Sequence, residues 1–276
     1  MPLRFTKMHG IGNDFVVVDA RHGGFDLKPA QMAAIADRHT GVGFDQLLSI
    51  ETSPDPSCAF YYGIWNADGS PAGQCGNGVR CVAAWLHRAG AFPLDRDTRL
   101  LSPSGPVTVR MLADGRVAVD VGEPQFSPAS LPFAAQTAES YDLTAGHESV
   151  VLRVVSMGNP HAVVEVDDLL DPRWNAVGPL LSTHAAFPEG CNIGFVRRVD
   201  AGHVQLRVHE RGSGWTLACG TGACAAAAVL MRAGRLDETV SVDLPGGRLQ
   251  VDWPGPGHHL WMTGPAAFVF EGEFAS

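Results

Sequence analysis

Lysine is nearly absent from this chain. Lys7 and Lys28 are the only two in 276 residues, and arginine carries most of the positive charge. A pyridoxal-phosphate enzyme needs a Schiff-base lysine, so that cofactor class has very few anchors here. Net positive charge is also missing. The formal charge is -9, and no basic patch is visible of the kind a nucleic-acid binder carries. The acidic balance also argues against an anionic membrane surface. There is no long apolar run: the longest, Ala223 to Met231, is about half of the roughly 20 residues a membrane-spanning helix needs. The opening MPLRFTKMHGIGNDF lacks the apolar core of a signal peptide. The expectation is a cytoplasmic chain whose six cysteines are reduced thiols; an even number allows a disulfide framework, but the chain is too long and its cysteines too sparse to need one. What remains is an ordinary globular composition, 45% hydrophobic and 18% charged, long enough for one large domain or two medium ones.

The sequence is written twice. Cys75 to Gly90, CGNGVRCVAAWLHRAG, aligns without a gap on Cys219 to Gly234, CGTGACAAAAVLMRAG. The offset is 144 residues and nine of sixteen positions are identical. Upstream, GIGNDFVVVD resembles MGNPHAVVEVD, with Asn13 matching Asn159, and WNADGSPAGQ parallels HERGSGWTLA. Alanine matches are cheap, but aligned Cys-Gly-x-Gly and Arg-Ala-Gly are not. Internal duplication predicts two pseudo-symmetric domains, residues 1–120 with 265–276 and residues 121–264.

The local patterns predict an α+β fold. Phe15–Asp19, Val107–Leu112, Arg116–Val121, Ala162–Val166, Val204–Val208 and Ser241–Leu244 are β-branched runs between turn residues. Asp114-Gly115 is a hairpin signal. Pro29–Arg38 reads as an amphipathic helix. A longer helix follows each Cys-Gly motif and stops at Gly90 or Gly234. Gly122–Ser140, rich in Pro, Ser and Ala, reads as the crossing between halves.

Cys75 and Cys219 thus stand at two equivalent helix starts. The first N–H groups of a helix lack internal partners and carry about half a positive charge. Such an end binds a carboxylate and favours a thiolate, whose pKa can fall from about 8.5 to roughly 3.5–7.5. The flanking glycines allow close backbone approach and positive φ. If the two starts face each other across a cleft, a substrate carboxylate is held between them with one sulfur on each side of its Cα. One thiolate then removes the proton and the opposite thiol returns one, with no metal or organic cofactor needed. Other readings exist. Cys58, Cys81, Cys191 and Cys224 do not recur at the repeat offset and read as small buried residues. A zinc site would use spacings at or beyond the usual limit. A disulfide between Cys75 and Cys219 would be an inactivated form.

MHGIGNDF, GVGFDQ, NADGS…QCGNGVRC, SMGNPH, HERG and ACGTGAC, in this order over nearly the whole chain, resemble diaminopimelate epimerase. The resemblance implies a homodimer whose protomer has two similar α/β halves, each a mixed or antiparallel sheet wrapped around a central helix. The last strand, around Ala266–Phe270, would return to the first half. It implies interconversion of LL- and meso-diaminopimelate, a small-molecule reaction of lysine and peptidoglycan precursor synthesis. Cys75 and Cys219 would be the acid/base pair. Backbone N–H groups of Gly76, Asn77, Gly220 and Thr221 would hold the reacting carboxylate, and Asn13 and Gln46 its amino group. Asn66, Asn159, Asn192, Glu210 and Arg211 would read the distal amino-acid end. An acid beside a base suits that end, since arginine forks onto a carboxylate and asparagine both donates and accepts. The alternatives are a surface ion pair at Glu210-Arg211 and turn roles for the asparagines, Asn66 above all. His161 is either support behind Asn159 or a strand-start residue. Where the family commonly has Gly-Glu-Thr, this chain has Gly214-Trp215-Thr216, and Cys191 before Asn192 is unusual. Rival readings are proline racemase or hydroxyproline epimerase, a PhzF-type isomerase, which lacks the cysteine pair, and a non-catalytic binding protein or thiol redox sensor.

Overall fold

The computed structural model describes residues 3–23, 25–73 and 75–274; Gln74, within one of the motifs above, lies outside them. The chain divides into two compact units, Met1–Asp120 with Thr263–Ser276, and Val121–Met262. The first is built from β1 (Leu3–Gly10), β2 (Asn13–Asp19), α1 (Pro29–Ala36), β3 (Gln46–Thr52), β4 (Phe60–Asn66), α2 (Gly76–Arg88), β5 (Thr98–Ser102), β6 (Gly105–Met111) and most of β7 (Val117–Gly122). The second follows with β8 (Tyr141–Ala145), β9 (Glu148–Ser156), β10 (Pro160–Glu165), α3 (Arg173–Ser182), β11 (Asn192–Asp200), β12 (His203–Glu210), β13 (Gly214–Thr216), α4 (Gly220–Arg232), β14 (Thr239–Leu244), β15 (Gly247–Asp252) and most of β16 (Leu260–Gly264). The last strand, β17 (Ala267–Phe274), belongs to the first unit.

The duplication is explicit in the strand pairing. Along β17–β1–β2–β3–β4–β5–β6 the neighbours run antiparallel, antiparallel, parallel, antiparallel, parallel, antiparallel. Along β8–β9–β10–β11–β12–β14–β15 the senses are the same. Both parallel steps carry a crossover through a helix, as parallel pairing requires. The fold is therefore α+β, with each half a mixed sheet around its own helix. α2 packs on β1, β2, β3 and β6, and α4 on β9, β10, β11, β12, β14 and β15. α4 is buried nearly all round from Gly222 to Leu230, which its alanine run permits because small side chains let strands close in on every face. Both helices end as the sequence indicates, with Gly90 at φ 70° and Gly234 at φ 67° just beyond the last turn.

One element has no counterpart in the sequence reading and one runs beyond it. α3 is a helix although Gly178 and Pro179 lie inside it. Burial of Trp174, Val177 and Leu181 in the second core outweighs those breakers. β12 runs two residues past Val208, because β13 folds back to pair His209 with Trp215 and Glu210 with Gly214. Glu210 therefore closes a strand and does not lie in a loop.

The second core is aromatic. Phe195 is fully buried and packs its ring 5.1 Å from Trp174 and 5.7 Å from Trp215. Phe195→Ala is expected to cost about 3–5 kcal/mol in urea unfolding; a loss below about 1 kcal/mol would show that this cluster does not hold the unit together.

Candidate active site

The geometry repeats in the two units. Cys75 is the N-cap of α2 and its sulfur accepts the N–H of Gly78 at 3.4 Å. Cys219 is the N-cap of α4 and its sulfur accepts the N–H of Gly222 at 3.3 Å. Gly78 and Gly222 lie within their helices, so it is space and not positive φ that requires glycine there. A Cβ at Gly222 would meet Val208 at 2.9 Å and the Cys219 sulfur at 3.1 Å. Gly76, Asn77, Gly220 and Thr221 fill the first two positions of the helices, where N–H groups have no intrahelical acceptor.

The two sulfurs differ in environment. Cys75 is partly exposed, whereas Cys219 is 4% exposed. Burial, followed by the nearby Glu210 carboxylate, pushes the Cys219 thiol well above its usual value; the Gly222 N–H and the Thr221 hydroxyl oppose this and lose. At this helix start desolvation outweighs the dipole, and Cys219 is held protonated; the motif alone leaves open which of the two cysteines is the thiol.

In the first unit Asn13 sits against the cysteine. Its Oδ1 lies 3.6 Å from the Cys75 sulfur and accepts from Asn77 Nδ2 at 3.3 Å. Gln46 opens β3 and donates to Asn66 Oδ1 across the β3–β4 ladder at 3.1 Å. Asn66 also donates to Ser70 Oγ at 3.1 Å, in a turn whose Gly69 has φ 80°. Asn66 thus has its turn role together with a contact to Gln46.

In the second unit Asn159 Nδ2 reaches Thr221 Oγ1 at 3.5 Å, and Thr221 Oγ1 lies 3.7 Å from the Cys219 sulfur. His161 Nε2 is 3.0 Å from Asn159 Oδ1. The ring is fully buried, and burial lowers its pKa to about 3, so it stays neutral. His161 is both an early β10 residue and a support for Asn159. Asn192 is engaged by backbone, donating to Pro160 O at 3.1 Å and accepting the Arg211 N–H at 2.9 Å. It fixes the chain where Arg211 leaves β12. Glu210 accepts from Thr216 Oγ1, while the exposed Arg211 guanidinium donates to Glu189 O at 2.8 Å. Trp215 turns away from these groups, packing on Phe195 and under the Arg207 guanidinium, 4.5 Å from its ring.

The register reveals pairs that residue identity hides. Phe15 faces Gln46 as His161 faces Asn192, and Gln46 faces Asn66 where the β11–β12 ladder brings Asn192 beside Glu210. Gln46 and Asn192 are thus equivalent, as are Asn66 and Glu210. Asp14, Asp45, Arg38, Lys7 and Arg80 also stand at the site, although the sequence alone assigns them no part in it. Asp14 and Asp45 stand inside two of the motifs already noted, which is the signal that could have found them. Lys7 pairs with Asp14 and Lys28 with Asp26. Arg80 is fully buried and donates to Asn77 Oδ1 at 2.9 Å and Pro265 O at 3.2 Å, holding the first turn of α2 in place.

Two outcomes follow. At neutral pH a thiol alkylating agent is expected to modify Cys75 well ahead of Cys219, read by peptide mass spectrometry; equal labelling would contradict the burial difference. Between pH 6.5 and about 3 the unfolded chain protonates residue 161 while the native chain does not. Stability contributed by neutral His161 is then present above pH 6.5 and lost on acidification. His161→Gln should flatten the slope of melting temperature against pH in that window, and an unchanged slope would refute it.

The fold is shared with solved structures at low identity. A phenazine biosynthesis protein of the PhzF family from Bacillus anthracis matches with TM-score 0.71 and 16% identity, over 100% of both chains. A hydroxyproline epimerase from Agrobacterium vitis, solved with bound trans-4-hydroxy-L-proline, matches with TM-score 0.69 and 14% identity, over 99% of this chain and 92% of that one. A predicted epimerase from Pseudomonas aeruginosa matches with TM-score 0.66 and 18% identity, over 99% of each. Among the described residues no helix is long and apolar enough to cross a membrane. Residues 5–127 and 153–269 match the sequence pattern of diaminopimelate epimerase, so this chain belongs to the diaminopimelate epimerase family and is an isomerase of the pyridoxal-phosphate-independent kind.

Proposed function

We propose that this isomerase interconverts LL- and meso-diaminopimelate by two-base proton transfer through Cys75 and Cys219. The observation that carries the reading is the pair of sulfurs capping equivalent helix starts. Burial suits Cys219 to begin as the acid, which leaves Cys75 as the base. The Cys75 thiolate takes the Cα proton into a new S–H bond and the broken C–H bond leaves its electron pair on the substrate carbon; the Cys219 thiol delivers a proton to that pair from the opposite face and becomes the thiolate. Each turnover exchanges the two roles. Backbone N–H groups at residues 76, 77, 220 and 221 take the charge that develops on the carboxylate.

The choice of substrate rests on the polar set of the second unit. Glu210, Arg211 and Asn159 offer an acid, a base and an amide, as a distal amino-acid end requires. Proline and 4-hydroxyproline have no such end and would leave these groups unused. The competing reading is therefore an imino-acid racemase, on the fold likeness to the hydroxyproline epimerase.

Wild-type protein in heavy water is expected to convert LL-diaminopimelate into α-deuterated meso product and leave proline and 4-hydroxyproline protiated. Exchange of the imino acids alone would transfer the assignment to the competing reading. Cys75→Ala and Cys219→Ala should each reduce epimerisation by at least about a thousandfold; full turnover in either variant rules out the two-base route.

A further inference from the structure

The GVGFDQ motif contains a carboxylate that the proposed chemistry has not used. Asp45 Oδ2 accepts from Asn13 Nδ2 at 2.8 Å and from the Asp14 N–H at 3.1 Å, and its Oδ1 accepts from Arg38 at 2.8 Å. All three of these groups donate to the carboxylate. Asp14 is held in turn by Lys7 and by a two-pronged contact from Arg38 at 2.8 and 3.1 Å. Although burial opposes it, the hydrogen bonds from Arg38 and Lys7 bring the Asp14 carboxyl down to about 2. The result is a fixed ionic platform beneath Asn13.

An asparagine amide can face either way, and its neighbours decide. With Nδ2 bound to a carboxylate, Asn13 has one orientation, in which Oδ1 points to the Cys75 sulfur and Asn77. The equivalent asparagine of the second unit has a different setting. The position matching Asp45 is Cys191, whose buried thiol turns to Asn192 O at 3.4 Å. His161 lies against Asn159 Oδ1, and Asn159 Nδ2 is the end that faces Thr221. One half shows an acceptor beside its helix start and the other a donor.

We propose that Asp45 is a positioning residue that fixes the Asn13 carbonyl oxygen toward Cys75, making the first unit the one that takes the ammonium of the reacting centre. The inference rests on the diaminopimelate reading above. Asn at position 45 would have to turn its own NH2 toward either Arg38 or Asn13. The first opposes a cation, and the second drives Asn13 to flip and present N–H to an ammonium.

The test is calorimetric binding of two probes to wild type and Asp45→Asn: diaminopimelate, and pimelate, which keeps both carboxylates and has no ammonium. Asp45→Asn is expected to weaken diaminopimelate about tenfold and pimelate by less than about twofold, a split that a general loosening of the fold would not produce. The swapped pair Asn13→Asp with Asp45→Asn restores an oxygen facing Cys75 and is expected to recover diaminopimelate affinity over Asp45→Asn alone. Equal loss for both probes, or no loss, overturns the role of Asp45 and leaves the proposed function standing. A wild-type protein that binds neither probe overturns both.

Discussion

The capped helix start is the constraint on which the rest of the structure depends. A sulfur can take the N–H three residues on only if the backbone there comes within about 3.4 Å, and at Gly222 a single methyl group would already touch both the sulfur and the strand behind it. The glycine spacing, the small residues of α4 and the sheet wrapped around each helix all serve that approach. The strands then deliver asparagine, glutamine and glutamate from equivalent register positions to the same end of the helix. The two halves are therefore copies in their functional geometry as well as in their topology.

Copies with equal environments would give no direction to proton transfer. The halves diverge in what surrounds each sulfur. The position that holds buried Arg80 in α2 is Cys224 in α4, and Asp45, which belongs to the ionic platform of Lys7, Asp14 and Arg38, has Cys191 as its counterpart in the second unit. Glu210, equivalent to the neutral Asn66, lies near the Cys219 thiol and adds to the effect of burial. One sulfur is kept as an acid by its surroundings, while the other is partly open to solvent. This pattern is what a two-base reaction asks for, since one partner must begin protonated and the other must not.

Much of this was legible in the sequence. The 144-residue repeat located both helix starts before any coordinate, because Cys-Gly-x-Gly is costly to match by chance, and Gly90 and Gly234 marked where those helices stop. α3 was not legible, because Gly178 and Pro179 read as breakers and only tertiary burial of Trp174 and Leu181 overrides them. The pairing of Gln46 with Asn192, and of Asn66 with Glu210, was hidden because the residue types differ and only strand register aligns them. The protonation state of Cys219 is not legible for a related reason: a helix dipole can be read from a motif, but the desolvation that opposes it depends on what packs over the sulfur. Trp215, conspicuous as a departure from the family pattern, turned out to face the core.

The central claim is that two different sulfurs serve one carbon. Early in a reaction begun with protiated LL-diaminopimelate in heavy water, isotope content at the inverted carbon tests it most directly. A two-base route predicts that the newly formed meso product carries solvent deuterium while the remaining LL substrate stays protiated. Deuterium entering substrate and product at equal rates from the start, or product formed with its original proton, would mean that a single base works on both faces and would contradict the account.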